Sequence, residues 1–392
     1  MQLSSAIILS HEYVTCLCHP SIQLSPVLIQ GKKPGRLIIE ILLDYLAYSI
    51  QNFLDMVKYE TVKLATGADL PLFGLGTWQS TDPEALTTAL KTALDAGYPL
   101  IDTAYIYRNE ATIGKVLHEY FTSGKLKRED IFITTKLPFM VHRPDEIEGL
   151  VKKQLENLHV DYFDLYLIHC PCPCKHRPND TPDNYQLLLK DGKVVPDLVD
   201  HMETWKVLEN LYNKGILKAI GLSNFNVEQM QYVLDNATVK PHNIQVETHL
   251  YWPQNELYEL CKKNNITMTS YSTLGSPGRT AFNPDFNWPI GEPMKDPLVL
   301  QLADKYKKSS AQILLRHMTQ RGISTIPKSI NPDRILKNFD IFDFKLTKEE
   351  IKQLDDVKTR VRLFLFDMLF DHPWYPFKDV DVSKMKRVYL KD

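Results

Sequence analysis

A regular alternation of short apolar runs and amphipathic segments constrains the fold of this chain more than any other feature of its sequence. The alternation begins near residue 62 and continues for about 270 residues. Several of the runs are almost continuously hydrophobic, which is typical of parallel strands buried on both faces. Eight runs are predicted to be strands: residues 73–78, 100–103, 131–137, 164–169, 217–223, 243–247, 267–271 and 323–327.

The segments between these runs place their apolar residues at helical spacing. The first, residues 82–96, follows TDPE at 81–84, a capped first turn with a proline inside it. Similar patterns predict helices over residues 144–158, 197–214, 226–236, 254–264 and 296–321, the last one broken near Lys308 and Ser309. Eight strands that alternate with helices predict an α/β fold of the (β/α)8 TIM-barrel type, preceded by an N-terminal hairpin around TGAD at 66–69.

A doubly wound parallel sheet is the alternative that shows the same alternation. Such a sheet usually carries a glycine-rich phosphate-binding turn after its first strand. Gly74 and Gly76 are not followed by the third glycine of that motif, and the barrel is therefore favoured.

Composition narrows the class of protein. The 392 residues include 46 Lys and Arg against 48 Asp and Glu, and this balance argues against a generally basic nucleic-acid-binding protein. Six cysteines are few for a disulfide-stapled secreted fold, so we expect reduced thiols and a cytoplasmic location. The longest apolar stretch, residues 37–50, contains Glu40 and Asp44 and falls short of the roughly 20 residues of a membrane span. We expect no nucleic-acid or membrane partner.

Residues 1–55 differ from the rest of the chain because they lack the alternation. Their one candidate helix covers residues 37–54, and no basic residue precedes the first short apolar patch, which argues against a signal peptide. Three interpretations stay open: upstream sequence wrongly included in the coding region, a disordered or loosely docked tail, or a targeting or membrane-surface segment. In each of them we expect residues 56–392 to form the barrel domain.

Polar residues stand at the ends of several predicted strands, where barrels of this type carry their chemistry. They are Asp102, Lys136, His169, Ser223, Asn224, Gln245, Glu247 and Tyr271, with Tyr107 shortly after Asp102. Taken singly, a buried histidine or a packed tyrosine is usually structural, but these residues come from different strands and converge. An inward lysine in a closed barrel needs a carboxylate, for which Asp102 is the candidate.

The convergent set suggests proton donation by a phenol. Lys136 would stabilise the phenolate of Tyr107 and lower its pKa from the usual value of about 10. Asp102 would keep Lys136 charged, and His169 would orient a carbonyl oxygen beside the Tyr107 hydroxyl. Such a group can protonate an oxyanion as a hydride reaches the adjacent carbon.

Eight motifs together resemble the aldo-keto reductase superfamily, and most closely its aldose and aldehyde reductase branch. They are GLGTW at 74–78, IDTAYIYRNE at 101–110, FITTKL at 132–137, DLYLIHCP at 164–171, IGLSNFN at 220–226, QVETHLYWPQNEL at 245–257, YSTLGSP at 271–277 and IPKSINPDRILKNFD at 326–340. Each motif is weak alone, but the set is specific and extends from about residue 62 to the C-terminus.

The resemblance implies a barrel that binds NADP(H) in an extended pose without a Rossmann fold. It assigns Asp102, Tyr107, Lys136 and His169 as the catalytic residues, with Tyr107 as the proton donor. It assigns cofactor contacts to Thr77, Trp78, Asp102, Ser223, Asn224, Gln245, Tyr271, Ser272, Leu274, Ser276, Lys328, Ser329, Arg334 and Asn338. Substrate contacts fall to Trp78, Tyr107, His169 and Cys170, and the C-terminal tail would line the pocket.

The adenosine end of that site is also indicated by the residues themselves. Asn331 and Pro332 begin a helix on which Arg334, Lys337 and Asn338 share one face, near Lys328. A cationic face at a helix N-terminus suits a phosphate. Lys337 stands where relatives often have an acidic residue, so one contact to the adenine is in doubt.

The connection after the fourth strand contains CPCPC at 170–174. Cys170 stands where many relatives have a bulky aromatic residue, and we expect it at the rim of a widened substrate pocket. A zinc site, a redox-responsive thiol cluster and plain loop thiols are the three interpretations of Cys170, Cys172 and Cys174. Alternating extended backbone at the prolines argues against zinc, and we expect no metal.

The sequence therefore predicts a monomeric oxidoreductase that uses NADPH to reduce small-molecule aldehydes and ketones. A non-catalytic NADPH-binding barrel, such as a channel-associated subunit or a lens structural protein, is the alternative from another class. A barrel isomerase or lyase is a third possibility, against which the expected nicotinamide contacts of Ser223, Asn224 and Gln245 argue.

Overall fold

A computed structural model describes residues 59–282 and 288–384, together with two short strands nearer the N-terminus. The chain separates into two compact units, residues 1–58 and 59–392. In the first unit Ile7–Leu9 pairs antiparallel with Val14–Cys16. The helix expected over residues 37–54 and the boundary expected at residue 56 lie outside the described residues, so the domain division stays a prediction.

The second unit opens with an antiparallel hairpin, Thr61–Lys63 with Asp69–Pro71, as predicted. Eight parallel strands then follow in chain order and pair with their neighbours in that same order. They are β1 (Leu75–Gly76), β2 (Leu100–Asp102), β3 (Phe132–Leu137), β4 (Leu165–Ile168), β5 (Ile220–Ser223), β6 (Asn243–Glu247), β7 (Thr267–Tyr271) and β8 (Ser324–Thr325). Every strand lies inside a run predicted from the sequence.

The sheet closes on itself through the residues that flank β1 and β8. The Gly74 amide donates to the Thr325 carbonyl at 2.9 Å, and the Thr325 amide donates to the Leu72 carbonyl at 2.9 Å. A Cβ on Gly76 would lie 2.5 Å from the Ile326 carbonyl oxygen, so the closure requires glycine there. A doubly wound sheet has open edges, and that alternative is wrong.

Helices surround the barrel and bury one face each. They are α1 (Pro83–Asp95), α2 (Glu110–Thr122), α3 (Pro144–Leu158), α4 (His201–Asn213), α5 (Val227–Asn236), α6 (Asn255–Lys263), α7 (Pro297–Tyr306), α8 (Ser310–Gln320), α9 (Pro332–Phe339) and α10 (Lys348–Asp355). The predicted cap of α1 is present, since Asp82 accepts from the amides of Glu84 and Ala85. The predicted break before α8 is also confirmed, with Lys307 in the left-handed region and Ser309 as the next cap.

The core lies between the helices and the barrel wall. Helix α1, for example, buries Leu86, Leu90 and Leu94 against it. Full burial of one such leucine contributes about 1.5–3 kcal/mol. No helix in the described part of the chain is long and apolar enough to cross a membrane.

Two long connections and the tail gather at the carboxyl ends of the strands. The connection after β4 contains a small hairpin of Leu189–Lys190 with Lys193–Val194. The connection after β7 includes a short helix, Arg279–Phe282. The tail follows α10 and includes two short 3-10 turns, Asp367–Leu369 and Val382–Lys384. These segments surround the polar strand ends.

Candidate active site

A buried ion pair stands at the centre of the barrel mouth. The Lys136 ammonium on β3 lies 2.7 Å from Oδ1 of Asp102 at the end of β2, and the two side chains are 1% and 4% exposed. Lys136 also donates to the Thr103 carbonyl at 2.8 Å. An unpaired ammonium at this depth would be costly, and the carboxylate provides the compensation that the sequence predicted.

Gln245 forms a hydrogen bond to the second carboxylate oxygen of Asp102. Its Nε2 donates to Oδ2 of Asp102 at 2.7 Å, so both carboxylate oxygens are satisfied. The side chain expected to contact a nicotinamide therefore donates to the Asp102 carboxylate in this structure. Gln245 fixes the orientation of Asp102, and its predicted contact with a cofactor stays a prediction.

Tyr107 and His169 join this pair. Tyr107 ends a single 3-10 turn, Tyr105–Tyr107, between β2 and α2, and its hydroxyl lies 3.4 Å from the Lys136 ammonium. The ring of His169, directly after β4, stands edge-on to the Tyr107 ring with centroids 5.8 Å apart. The structure thus brings together the four residues predicted to be catalytic.

The electrostatics of Tyr107 differ from the sequence-based expectation. Although the residue is partly exposed, the surrounding protein desolvates its hydroxyl and raises its pKa well above 10, and the Asp102 charge adds to this effect. Burial likewise lowers the pKa of Lys136, against the opposing effect of Asp102. The expected lowering of the phenol pKa by Lys136 is not found, because desolvation of the hydroxyl dominates and the Asp102 charge acts in the same direction. Tyr107 therefore holds its proton at neutral pH.

His169 is neutral at the same pH. Burial, followed by the charge of Lys136, lowers its pKa well below 6.5. Its Nδ1 is buried and has no hydrogen-bond partner among the described residues. A neutral imidazole offers one N–H donor and one acceptor, so it can orient a carbonyl oxygen without adding charge.

Asn224 ties three strand ends together beside His169. It adopts the left-handed region with φ of 63°, which asparagine tolerates better than most residues. Its Nδ2 donates to the His169 carbonyl at 2.8 Å, and its Oδ1 accepts from the Tyr271 hydroxyl at 2.8 Å. Ser223 lies next to it and accepts from the same amide at 3.1 Å. The predicted nicotinamide contacts are thus contiguous, and the Tyr271 ring is fixed in orientation.

The segment after β7 turns sharply at two predicted phosphate contacts. Ser272 and Ser276 both have positive φ, 56° and 44°. Sequence reasoning missed Arg279, which is buried and donates to the carbonyls of Gly275, Ser276, Pro289 and Gly291. It therefore joins the two ends of this connection. An arginine inside a stretch rich in glycine and proline was the available signal.

The adenosine end is a cationic surface beside a helix start. Asn331 caps α9 by accepting from the Arg334 amide at 3.0 Å, and Ser329 accepts from the Asn331 amide at 3.1 Å. Arg334 and Lys337 are exposed, whereas Asn338 on the same face is buried. Partial burial lowers the pKa of Lys328.

No carboxylate of the described residues pairs with Lys328, Arg334 or Lys337. Lys328 and Arg334 lie close to the N-terminus of α9, where unpaired cations suit a dianionic phosphate. The residues present therefore fit a phosphorylated dinucleotide.

An aromatic wall near the strand ends includes Phe364 from the tail. The Phe364 ring lies 5.4 Å from Trp78, 5.8 Å from Tyr271 and 5.7 Å from Trp288, measured between centroids. Thr77 is buried beneath Trp78 and donates to the Asp102 carbonyl at 2.9 Å. Phe364 thus brings the tail into contact with Trp78, and the predicted role of both in lining a substrate pocket stays a prediction.

Glu247 holds this wall in place. Its carboxylate, on a residue only 1% exposed, accepts from the backbone amides of Leu363 at 2.6 Å and Phe364 at 3.0 Å. His249 contacts the same carboxylate at 2.9 Å. Sequence reasoning noted Glu247 at a strand end but assigned it no function. A carboxylate within an otherwise buried strand indicates a partner, but not which partner.

The cysteine cluster lies deeper than predicted. Cys170 is fully buried in the core, so the expected position at an open pocket rim is corrected. Cys172 donates to the Trp374 carbonyl at 3.4 Å, and burial raises the pKa of the Cys172 and Cys174 thiols. Thiols of raised pKa are poor nucleophiles. The described residues contain no group of three or more side chains that could hold a metal ion.

Comparison with known proteins agrees with this geometry. The sequence pattern of the Aldo/keto reductase family matches residues 72–359. Aldo-keto reductase family 1 member A1 of Gallus gallus is 44% identical over 331 residues, which cover 81% of this chain and 97% of that protein. The Homo sapiens protein of the same name is 43% identical over 330 residues, which cover 81% and 98%.

A solved structure extends the similarity to three dimensions. The aldose reductase of Schistosoma japonicum aligns with a TM-score of 0.72 at 39% identity and covers 82% of this chain and 99% of its own. The residues matched by the family pattern include Asp102, Tyr107, Lys136 and His169. This chain therefore belongs to the aldo/keto reductase family and is an oxidoreductase that reduces carbonyl groups.

Proposed function

We propose that the protein reduces small aldehydes and ketones with NADPH, and that Tyr107 is the general acid. The observation that carries the proposal is the convergence of Asp102, Lys136, Tyr107 and His169 at one buried site, with the Tyr107 hydroxyl 3.4 Å from the Lys136 ammonium. When bound, NADPH supplies a hydride to the carbonyl carbon.

Tyr107 supplies the proton that completes the reduction. Its raised pKa keeps the phenol protonated until charge develops on the carbonyl oxygen. An alkoxide is a stronger base than a phenolate, so the transfer is favourable once the new C–H bond forms. The phenolate left behind is stabilised by the nearby Lys136 ammonium, which Asp102 holds in place.

His169 orients the carbonyl oxygen. Its neutral ring stands edge-on to the phenol, so a carbonyl oxygen between the two can accept from both an imidazole N–H and the Tyr107 hydroxyl. Phe139 also packs on the His169 ring, with centroids 5.9 Å apart. The two donors define one position for the reacting oxygen.

The cofactor contacts follow from the walls of the site. Ser223, Asn224 and Gln245 would bind the carboxamide of the nicotinamide, Tyr271 would stack on its ring, and Ser272, Leu274 and Ser276 would lie along the pyrophosphate. Lys328, Ser329, Arg334 and Asn338 would hold the adenosine end. The unpaired cations there support a 2′-phosphate and hence NADPH over NADH.

A direct assay tests the proposal. Full-length protein is mixed with NADPH and a panel of aldehydes, ketones, sugars and steroids, and the loss of NADPH absorbance is followed. Turnover of at least one carbonyl class, lost in Tyr107→Phe, supports the assignment. Binding of NADPH without turnover of any carbonyl would favour the non-catalytic alternative. A monomeric state stays a prediction, which light scattering can check.

A further inference from the structure

The turn that carries Tyr107 is fastened on both sides to one stretch of the connection after β4. On one side the Tyr105 hydroxyl donates to the Pro182 carbonyl at 3.0 Å and accepts from the Tyr185 amide at 3.0 Å. On the other side Arg108 donates to the Tyr185 carbonyl. The residues before and after the phenol therefore bind the same short segment, residues 182–185.

The two side chains also support one another. The Arg108 guanidinium lies over the Tyr105 ring, 4.5 Å from its centroid. Arg108 adopts the left-handed region with φ of 56°, a conformation that is unfavourable for arginine unless its surroundings maintain it. Tyr105 itself is only 4% exposed, so its ring is held in place by the surrounding protein.

The segment that receives these bonds is itself braced. Its Asp183 carboxylate lies 2.5 Å from the Lys153 ammonium on α3. The Thr181 amide donates to the Asn184 side chain at 2.8 Å, and the Tyr185 ring packs on His176 with centroids 4.7 Å apart. A braced segment can impose a position on the turn, whereas a loose one could not.

We propose that Tyr105, assisted by Arg108, is a positioning residue for carbonyl reduction: it fastens the Tyr107 turn to residues 182–185 and thereby fixes the distance from the phenol to Lys136 and to the carbonyl oxygen. The inference rests on the proposed function of Tyr107 as the acid. Only Ile106 separates Tyr105 from Tyr107, so a rotation of the turn moves the phenol directly.

The geometry predicts a loss in turnover rather than in binding. Displacement of a reacting group by about 1 Å can cost up to 10²-fold in rate. The hydrogen bonds of Tyr105 and Arg108 to residues 182–185 are together called the clamp below. Removal of one side chain's hydrogen bonds, with the other's retained, is expected to lower kcat about five- to tenfold and to leave KM for both substrates within about twofold.

The test measures kcat and KM for Tyr105→Phe and Arg108→Ala, each in the parent protein and in Tyr107→Phe. If the clamp acts through the phenol, neither change lowers kcat further once Tyr107 is phenylalanine. Equal losses in both backgrounds, or unchanged kcat in the parent, would overturn the proposal. Arg108→Lys keeps one donor and should recover part of the activity.

Tyr120→Phe is the matched control. Tyr120 lies on α2, away from the site, and its hydroxyl donates to Asp95 at 2.7 Å. Loss of this hydroxyl should leave kcat unchanged. Arg108 is exposed, so its variants carry the test even if Tyr105→Phe folds poorly.

Hydrogen exchange separates failure of the clamp from failure of the proposed acid. The Tyr107 amide donates to the Ala104 carbonyl at 3.0 Å within the turn, and its exchange should accelerate in Tyr105→Phe but not in Tyr120→Phe. Exchange that does not change would overturn the clamp. Accelerated exchange, together with wild-type turnover in Tyr107→Phe, would instead show that the acid is wrongly assigned.

Discussion

The predicted catalytic end and the predicted adenosine end of this site differ in how their charged side chains are compensated. At the catalytic end, Lys136 and Asp102 are almost fully buried, lie 2.7 Å apart and have their remaining polar atoms bonded to Thr103 and Gln245. At the adenosine end, Arg334 and Lys337 are exposed, and no carboxylate of the described residues compensates them.

The difference follows from what each charge does. A charge that must stabilise a reacting oxygen has to be held in a desolvated position, and only a permanent protein partner can keep it there. A charge that binds a phosphate can remain in water until the phosphate arrives. Substitution of a buried charge at the predicted catalytic end should therefore affect folding as well as chemistry, and substitution of a cation at the predicted adenosine end should affect binding alone.

The largest effect is expected for Lys136→Met. It leaves the Asp102 carboxylate buried without its cation, which costs about 3–5 kcal/mol of unfolding free energy. Urea unfolding monitored by circular dichroism measures this. Lys214→Met is the control, because Lys214 lies 2.8 Å from Glu148 but both side chains are more than half exposed, and it should cost less than about 1 kcal/mol.

Removal of both partners sharpens this prediction. The double variant Lys136→Met with Asp102→Asn should recover most of the lost stability, because no charge is then buried alone. It should remain inactive. If the double variant is as unstable as Lys136→Met, the cost comes from packing and not from the uncompensated carboxylate.

The next largest effect is expected on turnover alone, with no effect on folding. Tyr107→Phe keeps the ring against His169 and Lys136 but removes the proton donor. We expect kcat to fall by about 10² or more, with the unfolding free energy and the dissociation constant of NADPH nearly unchanged. Stopped-flow turnover and fluorescence titration measure the two quantities. Near wild-type turnover would exclude Tyr107 as the acid.

The sequence predicted the strands because each barrel strand is a local apolar run bounded by turns. It also predicted that Asp102, Lys136 and His169 meet, because the carboxyl ends of parallel strands share one edge. Helices α2 and α10 were not predicted, and the tail contacts of Glu247 were not either. Those contacts join residues more than 100 positions apart, and no local pattern encodes such a pairing.

Cys170 shows that a residue's location in the fold cannot always be predicted from its place in the sequence. Its place after β4 predicted a pocket rim, but the side chain packs inward with the core and is 0% exposed. The direction of the phenol pKa shift was wrong for a similar reason. Proximity to Lys136 was visible in the sequence, whereas the depth of burial and the compensating field of Asp102 appear only in three dimensions.

A smaller effect should appear in the pH dependence of stability. Burial lowers the pKa of His142 to about 3, with His201 and His372 contributing, and it lowers the pKa of those two residues as well. The unfolded chain then binds more protons than the folded one below about pH 6.5, so stability falls as the pH decreases from about 6.5 toward 3. At pH 5, His142 alone accounts for about 2 kcal/mol.

Glu110 opposes this trend. Burial raises its pKa to about 7, so the folded state binds more protons than the unfolded one between about pH 4.5 and 7, and its contribution falls as the pH rises. His142→Gln should flatten the acid limb of a plot of melting temperature against pH, and Glu110→Gln should steepen the net rise from pH 5 to 7. Unchanged profiles would show that neither group titrates differently on folding.

The last prediction tests the predicted adenosine end. Arg334→Ala removes one exposed cation from the helix face, and a lost charge-assisted hydrogen bond corresponds to about 1.5–3 kcal/mol. The dissociation constant of NADPH should therefore rise by about tenfold to a hundredfold, whereas that of NADH should change by less than about twofold. Fluorescence titration at two salt concentrations measures both dissociation constants, and the NADPH value should be the more sensitive to salt.

The stability of the Arg334→Ala variant should not change, because Arg334 has no carboxylate partner in the described part of the chain. Equal weakening of both cofactors would place Arg334 away from the 2′-phosphate, and a loss of stability would show that this end, like the catalytic one, compensates its charge internally.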